Sequence, residues 1–577
     1  MVPLIWEQPA CDAAAAEALA RTLDVEPLVA RLLVQRGFTD PEEASRFLAP
    51  SLEHLHDPFQ LADMRPAVER LEAAVARRER VAIHGDYDVD GITSTVILRR
   101  CLEMLGAEVV HFIPDRLKDG YGLQPSTIER LHAEGAQVVV SVDCGIRGIE
   151  AATRARELGL DLIITDHHEP DGVLPGAVAV INPKRTDCAY PDKHLAGVGV
   201  ALKLVQALLQ RAGRARVLPG FIKIAALGTL ADVVPLVGEN RVIARYGLEQ
   251  LSRGPHKVGL RALLDASGLT GRTIDSYHVG FVIAPRVNAA GRMSTPDIAT
   301  RLLLATDEGL LEEAQALAAQ LNDENTRRQQ EEAAIVAAAR KVVDADPDVG
   351  ARTVLVVAGE GWHRGVIGIV ASKLVDAYHR PAVVLSIEGD VAHGSCRSIR
   401  AFDMLGGLTA CAPLLLRYGG HKAAAGLALE SGRIKELRAR LNEHADALLG
   451  PDDLRPRLRV DEPLPLSRIT PRLAAQVASL APFGPGNPRP VFSATDVEIA
   501  DGPRRLKEKH YKMALRHGGR VMRAIAWRGT ERYGFLETQS GPVDLAFSLE
   551  QNEFNGEVYL ELTVCDIRPT PVVAALS

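Results

Sequence analysis

Carboxylates and imidazoles crowd four short stretches of this chain. "HGDYDVDG" carries His84, Asp86, Asp88 and Asp90, "SVDCG" carries Asp143, "TDHHEP" carries Asp166, His167 and His168, and "LGTLADVV" carries Asp232. Carboxylates packed together repel one another unless a cation neutralises them. Two divalent ions about 4 Å apart do so, and such a pair activates a water and stabilises the leaving oxygen when a phosphoester is hydrolysed. The mixture of carboxylate and imidazole suits manganese, with magnesium a good competitor, and fits calcium poorly. The run from Asp86 also opens like an EF-hand loop, but its twelfth position, where a bidentate glutamate must close the cage, is Ile97. Taken singly, an aspartate after a strand is commonly a turn former or helix cap, and adjacent histidines a polar loop. Their coincidence at successive strand ends points to a metal centre.

The elements that must position these groups are legible around them. "RVAIHG", "AEVVHFIP", "AQVVVSVD", "LDLIITDHH" and "AVAVINP" read as buried strands separated by amphipathic helical segments, which predicts βαβ units and a parallel sheet. Right-handed crossovers bring the carboxyl ends of all these strands to one edge. Asp232 follows an apolar helix that ends toward the same rim. Residues 294–346 read as long charged helices connecting this unit to a second α/β unit, which opens at "ARTVLVVAGE" and closes with "GRIKELRARLNEHADALLG". Past "FGPGNPRPVF" five short strands predict a small β barrel of the OB type. The expected divisions are an N-terminal region (1–75), the metal-bearing α/β domain (76–240), a helical connector (241–348), the second α/β domain (349–452) and the barrel (453–577).

Composition bounds the class. The 577 residues are 47% hydrophobic and 24% charged, as in a globular protein with several cores, and the seven cysteines include no C-x-x-C pair. Reduced thiols, no signal-like or membrane-spanning segment and hence a cytoplasmic location are expected. The net charge of −7 leaves any polyanion to be held by local basic patches.

In this order, "HGDYDVDGITS", "VDCG", "TDHH" and "LGTLADVVPL" resemble the motifs of the DHH phosphoesterases. "FIPDRLKDGYG", "AGVGVALK", "PRVNAAGRM", "GWHRGVIGIVASKL", "GSCRSI", "GGHKAAAG" and "PFGPGNPRPVF" are similar to segments of the bacterial single-strand-specific exonucleases within that superfamily, from about residue 35 onward. The resemblance implies two metal ions bridged by Asp143, one completed by His84 and Asp88, the other by Asp90, His167 and Asp232. Asp86 and His168 match positions beside the metals with a supporting or proton-handling role. The second α/β unit resembles the DHH-associated domain, which closes over the cleft, and His421 would stand near the scissile phosphate. Arg116, Arg286, Ser395 and Arg397 resemble phosphate contacts. The basic stretch 504–528 surrounds Tyr511 and Trp527, a pattern suited to holding phosphates while stacking bases. Gly361 in "GWHRG" stands where relatives commonly have a polar residue.

The implied activity is degradation of single-stranded DNA from the 5′ end to mononucleotides in recombinational and mismatch repair, with manganese or magnesium. Single-strand-binding protein and a helicase are the implied partners. A phosphodiesterase for dinucleotides or short oligonucleotides is the alternative, against which the extra barrel counts. A binding scaffold with a degenerate site would have lost ligands, and none of the six metal positions has. A monomer is expected.

Overall fold

The computed structural model describes residues 4–115, 119–120, 122–346, 349, 351–539, 541–554 and 557–571. Two compact units emerge, one formed by residues 40–327 with 480–489, the other by 1–39, 328–479 and 490–577. The second unit opens with a short strand, β1 (Ile5–Glu7).

The first unit is built on a five-stranded, wholly parallel sheet. Its strands are β2 (Arg80–Gly85), β3 (Glu108–Phe112), β4 (Val138–Val142), β5 (Asp161–Thr165) and β6 (Ala179–Ile181), in spatial order β3-β2-β4-β5-β6. β4 is buried throughout, which is why it reads as a valine run broken only by Ser141. On one face, helices Val89–Met104, Gly197–Arg211 and Pro219–Ala231 pack into the main core; residues of Pro125–Ala133 and Ile149–Glu157 form a separate core with the other face. Glycine lets these helices approach closely. A methyl on Gly228 would lie 2.3 Å from Thr93 Oγ1.

The order of strands determines where a ligand can sit. After β2 the chain moves to β3 on one side, then returns to β4 on the other, so the crevice between the ends of β2 and β4 is a topological switch point. Register sharpens this. Gly85 pairs with Val142 and Val142 with Thr165, so Asp86, Asp143 and Asp166 are the first residues past three adjacent strand ends.

In the second unit β7 (Leu355–Glu360), β8 (Ala382–Glu388), β9 (Val391–Arg397), β10 (Leu415–Gly420) and β11 (Ala424–Glu430) form a mixed sheet in the order β10-β11-β9-β8-β7. Only β7 and β8 run parallel. β12 (Arg457–Arg459) pairs with β1 in parallel, and Trp6 Nε1 donates to Asp566 Oδ2 at 2.8 Å. The C-terminal OB domain is a closed barrel of β14 (Phe492–Leu506), β15 (His510–His517), β16 (Arg520–Ala526), β17 (Val543–Phe554) and β18 (Glu557–Pro569). β14 pairs with both β15 and β17, which closes the ring, while β13 (Glu462–Pro463) extends it beside β14. The 35-residue helix Leu311–Ala345 is the expected long connector. Among the described residues no helix is long and apolar enough to cross a membrane.

Candidate metal centre

Each strand end contributes differently. Asp88 is the N-cap of Val89–Met104, its Oδ1 accepting from Asp90 N (2.9 Å) and Gly91 N (3.1 Å). That bond satisfies two orphan amides of the first turn and fixes the carboxylate. Asp90 is buried, and its two oxygens accept from Gly197 N and Val198 N, each at 2.7 Å, at the start of the neighbouring helix. A carboxylate has about four lone-pair directions, so these amides leave it able to ligate. Asp143 adopts a left-handed φ of 61°, which turns the chain sharply at the end of β4. Asp232 is the C-cap of Pro219–Ala231.

Three groups of ligand atoms converge: Asp143 with His167 and His168; Asp90 with His167 and Asp232; and Asp86 with Asp88 and Asp143. Asp143 and His167 each belong to two of them. His167 Nε2 lies 3.2 Å from Asp143 Oδ1 and 3.6 Å from Asp232 Oδ2, yet all three atoms are buried without a hydrogen bond among the described residues. Two ligands about 2.1 Å from one ion at right angles stand about 3 Å apart, so this spacing is what a shared cation demands. Orphaned buried acceptors at one point are costly unless such a cation is bound. The residues therefore fit a divalent ion.

Electrostatics agree. Burial, followed by Asp90, Asp88 and Asp232, holds the Asp143 carboxyl well above its ordinary range. Burial and the neighbouring Asp90 and Asp88 raise Asp232 to about 9, and burial with Asp88 raises Asp90 to about 7. The imidazoles move the other way. Burial pushes His167 down to about 3 and His84 to about 4, which keeps both rings in the neutral form that ligates metals. His84 stacks on Phe112 and both its nitrogens lack a hydrogen bond of good geometry, but it belongs to none of the three converging groups.

Asp166 is spent on scaffolding. Its Oδ1 accepts from the His167 and His168 amides and meets His168 Nδ1 at 2.7 Å, and its Oδ2 accepts from Ile146 N. Burial opposes the charged His168 ring, but the Asp166 carboxylate, with Asp86 and Asp90, more than offsets this and raises its pKa. Asp86, for which the resemblance implies support, is grouped by the geometry with Asp88 and Asp143 as a possible ligand.

The strand ends open on a cleft of about 360 Å³, lined by Asp86, Asp88, Asp143, His168 and Asp232, and also by Asn288 and Arg292. Sequence reasoning missed these last two. Both lie on Ala284–Met293, four residues apart and so on one face, while Arg286, the residue singled out instead, is not among the cleft residues. Arg286 donates to Val282 O (2.7 Å) and Asn322 Oδ1 (3.2 Å). Asn288 Oδ1 also accepts from Val89 N, tying this helix to the Asp88 loop.

In the second unit Ser395 and Arg397 lie on β9 beneath Ile367–Tyr378; a methyl on Gly368 would stand 2.9 Å from Ser395 Oγ and 3.3 Å from Arg397 Nη2. His421 is exposed in the β10–β11 turn. Trp527 is 53% exposed, edge-on to His510, and available for stacking. Tyr511 is a correction: its ring is buried in the barrel and its hydroxyl donates to Glu537 Oε1 at 2.5 Å, so it cannot stack a base. Arg116 lies outside the described residues.

A parallel sheet with carboxylates and imidazoles gathered at its switch point, joined to a mixed-sheet domain and a barrel, defines a DHH-class hydrolase. The chain matches the DHH family N-terminal domain over residues 80–229, the DHHA1 domain over 351–447 and the RecJ OB domain over 460–566. It is 39% identical to the single-stranded-DNA-specific exonuclease RecJ of Bacillus subtilis (97% of this chain, 70% of that one). It is 33% identical to the RecJ of Escherichia coli (95% and 96%). The crystal structure of RecJ in complex with Mn2+ from Thermus thermophilus superposes with a TM-score of 0.82 at 33% identity, covering 98% of this chain and 80% of that one. The Mg2+ complex gives 0.78 at 32%, covering 98% and 79%. The chain belongs to the RecJ family of single-stranded-DNA-specific exonucleases.

Proposed function

We propose that this chain hydrolyses single-stranded DNA from its 5′ end to mononucleotides, using two divalent cations, manganese in preference to magnesium. The convergence of unpartnered Asp143 Oδ1, His167 Nε2 and Asp232 Oδ2 on one point carries this reading. Asp143 would bridge the ions, with His84 and Asp88 on one and Asp90, His167 and Asp232 on the other; Asp86 is a further oxygen donor beside Asp88. When bound, the ions would lower the pKa of a water and neutralise charge on the phosphate.

The chain's own groups would do the rest. Asp90 bonds the first turn of Gly197–Arg211 and so holds that helix against the site. His168, oriented by Asp166, whose carboxylate raises its pKa, would handle the proton of the departing oxygen. Arg292 and Asn288, which line the same cleft, would orient the phosphate. Ser395, Arg397, His421, Arg286 and Arg116 are the residues that resemble phosphate contacts of the family and would each meet the strand's backbone, and Trp527 would stack a base. The proposed division into domains is 1–75, 76–240, 241–348, 349–452 and 453–577. Work in recombination and mismatch repair with single-strand-binding protein and a helicase is what the family resemblance implies; a monomer is the reading for a multi-domain chain with its own cleft, and a cytoplasmic location the reading of its reduced cysteines.

The test is hydrolysis of labelled single-stranded DNA, blocked in turn at each end, in manganese, magnesium or chelator. Mononucleotides should appear only from a free 5′ end and only with metal. Release from a free 3′ end, or cleavage of dinucleotides but not of long strands, overturns the reading.

A further inference from the structure

A second cavity, of about 790 Å³, opens in the first unit and shares no lining residue with the metal cleft. It lies at the other ends of the helices that bear the metal-site acids. Arg100 is twelve residues, about 18 Å, along Val89–Met104 from Asp88, and Lys223 is nine residues, about 14 Å, along Pro219–Ala231 from Asp232.

Its charge is unbalanced. Among the lining acids, Glu249 is paired with Arg253, and Glu308, which Lys257 also approaches, is paired with Arg261; Glu103, near Arg100, is paired with Arg99, and Lys223 has no carboxylate partner among the described residues. Arg100 makes no hydrogen bond or ion pair among the described residues, and Lys223 meets only the Pro255 carbonyl, at 2.7 Å. Burial lowers the pKa of Arg100 and of Lys223, and His256 is lowered by burial and by Lys223. Unpaired cations held partly out of water are stabilised by an anion. Ile224, Leu260, Leu303 and the half-buried Tyr246 give the same cavity an apolar lining. Convergent cations beside an apolar wall, in a volume within the usual range for small-molecule sites, match an anion that carries an organic group.

We propose that this cavity binds a nucleoside phosphate, its phosphates among Arg100, Lys223 and Lys257 and its nucleoside against Ile224, Leu260 and Leu303. The site is independent of the metal centre, so its test requires no turnover. Calorimetric titration of the full chain in chelator, with ADP and separately with inorganic pyrophosphate, should give saturable ADP binding with a dissociation constant below about 1 mM and weaker binding of pyrophosphate. Lys223→Gln and the exposed Lys257→Gln should each weaken ADP by about tenfold, while Asp143→Asn leaves it unchanged. No saturation, equal affinity for pyrophosphate, or binding that survives both lysine changes but is lost in Asp143→Asn would each overturn the assignment.

Discussion

Gly197→Ala is a one-methyl perturbation aimed at the heart of the site. A Cβ at Gly197 would stand 2.3 Å from Asp143 Oδ1 and 2.7 Å from both its Cβ and Cγ. Ordinary contact begins at 3.4 Å, so the two groups must part by about 1 Å. Rotating the carboxylate does not relieve the contact with Asp143 Cβ. Asp143 is also pinned, with its amide donating to Thr165 O at 3.0 Å and its φ at 61°. The helix cannot retreat freely either, because Asp90 grips the Gly197 and Val198 amides. A ligand displaced by about 1 Å costs about a hundredfold in rate, or about 2.7 kcal/mol of barrier. Overpacking costs about 1–3 kcal/mol of stability, which a fold stable by about 5–15 kcal/mol survives. The assay is the initial rate on labelled single-stranded DNA across a manganese titration. Gly309→Ala, whose methyl would meet nothing within 4 Å, is the control. A folded Gly197→Ala protein with a rate within about twofold of the parent would refute the reasoning.

Other expectations follow from the same geometry. Arg292→Ala should lower kcat by about ten- to a hundredfold with manganese affinity unchanged, whereas loss of metal binding would make Arg292 a support for the ligands instead. Trp527→Ala should weaken single-strand binding by about 1–3 kcal/mol, while Tyr511→Phe should alter thermal stability and leave binding as it was; the reverse pattern in a filter-binding assay contradicts the barrel assignment. The pH dependence has a definite sign. Asp232 and Asp90, raised to about 9 and about 7, hold protons that the unfolded chain releases near its ordinary carboxyl pKa of about 4. The ion-free fold therefore loses stability as pH climbs from about 4 toward 9, and manganese, which displaces those protons, binds more tightly over the upper part of that range. Thermal unfolding with and without manganese should show a gap that widens between about pH 6 and 9, and a constant gap refutes the linkage.

The metal centre was legible because its chemistry is local: Asp86, Asp143 and Asp166 each follow an apolar strand, Asp232 caps an apolar helix, and the parallel register carries the strand ends to one edge. Asn288 and Arg292 were not, because the face of a helix decides which side chain meets the cleft. "PRVNAAGRM" offers three polar candidates, and only the four-residue spacing of Asn288 and Arg292 picks out the inward pair over Arg286. In β15 the alternation of Tyr511, Met513 and Leu515 marks Tyr511 as an inward residue, a period-two signal that the basic composition of the hairpin obscured. Strands β9, β10 and β11 hide behind glycines that weaken strand character, with Gly394 directly before Ser395 and Gly420 directly before His421. The pairing of β1 with β12 spans some 450 residues and has no local signature.

Equilibrium dialysis of the chain against manganese tests the central claim, that the strand ends form a two-ion centre with a shared Asp143. Two ions per chain are expected, at most one with Asp143→Asn, and one ion weakened selectively with His167→Gln. A single ion in the unaltered protein, or two retained after Asp143→Asn, would contradict it.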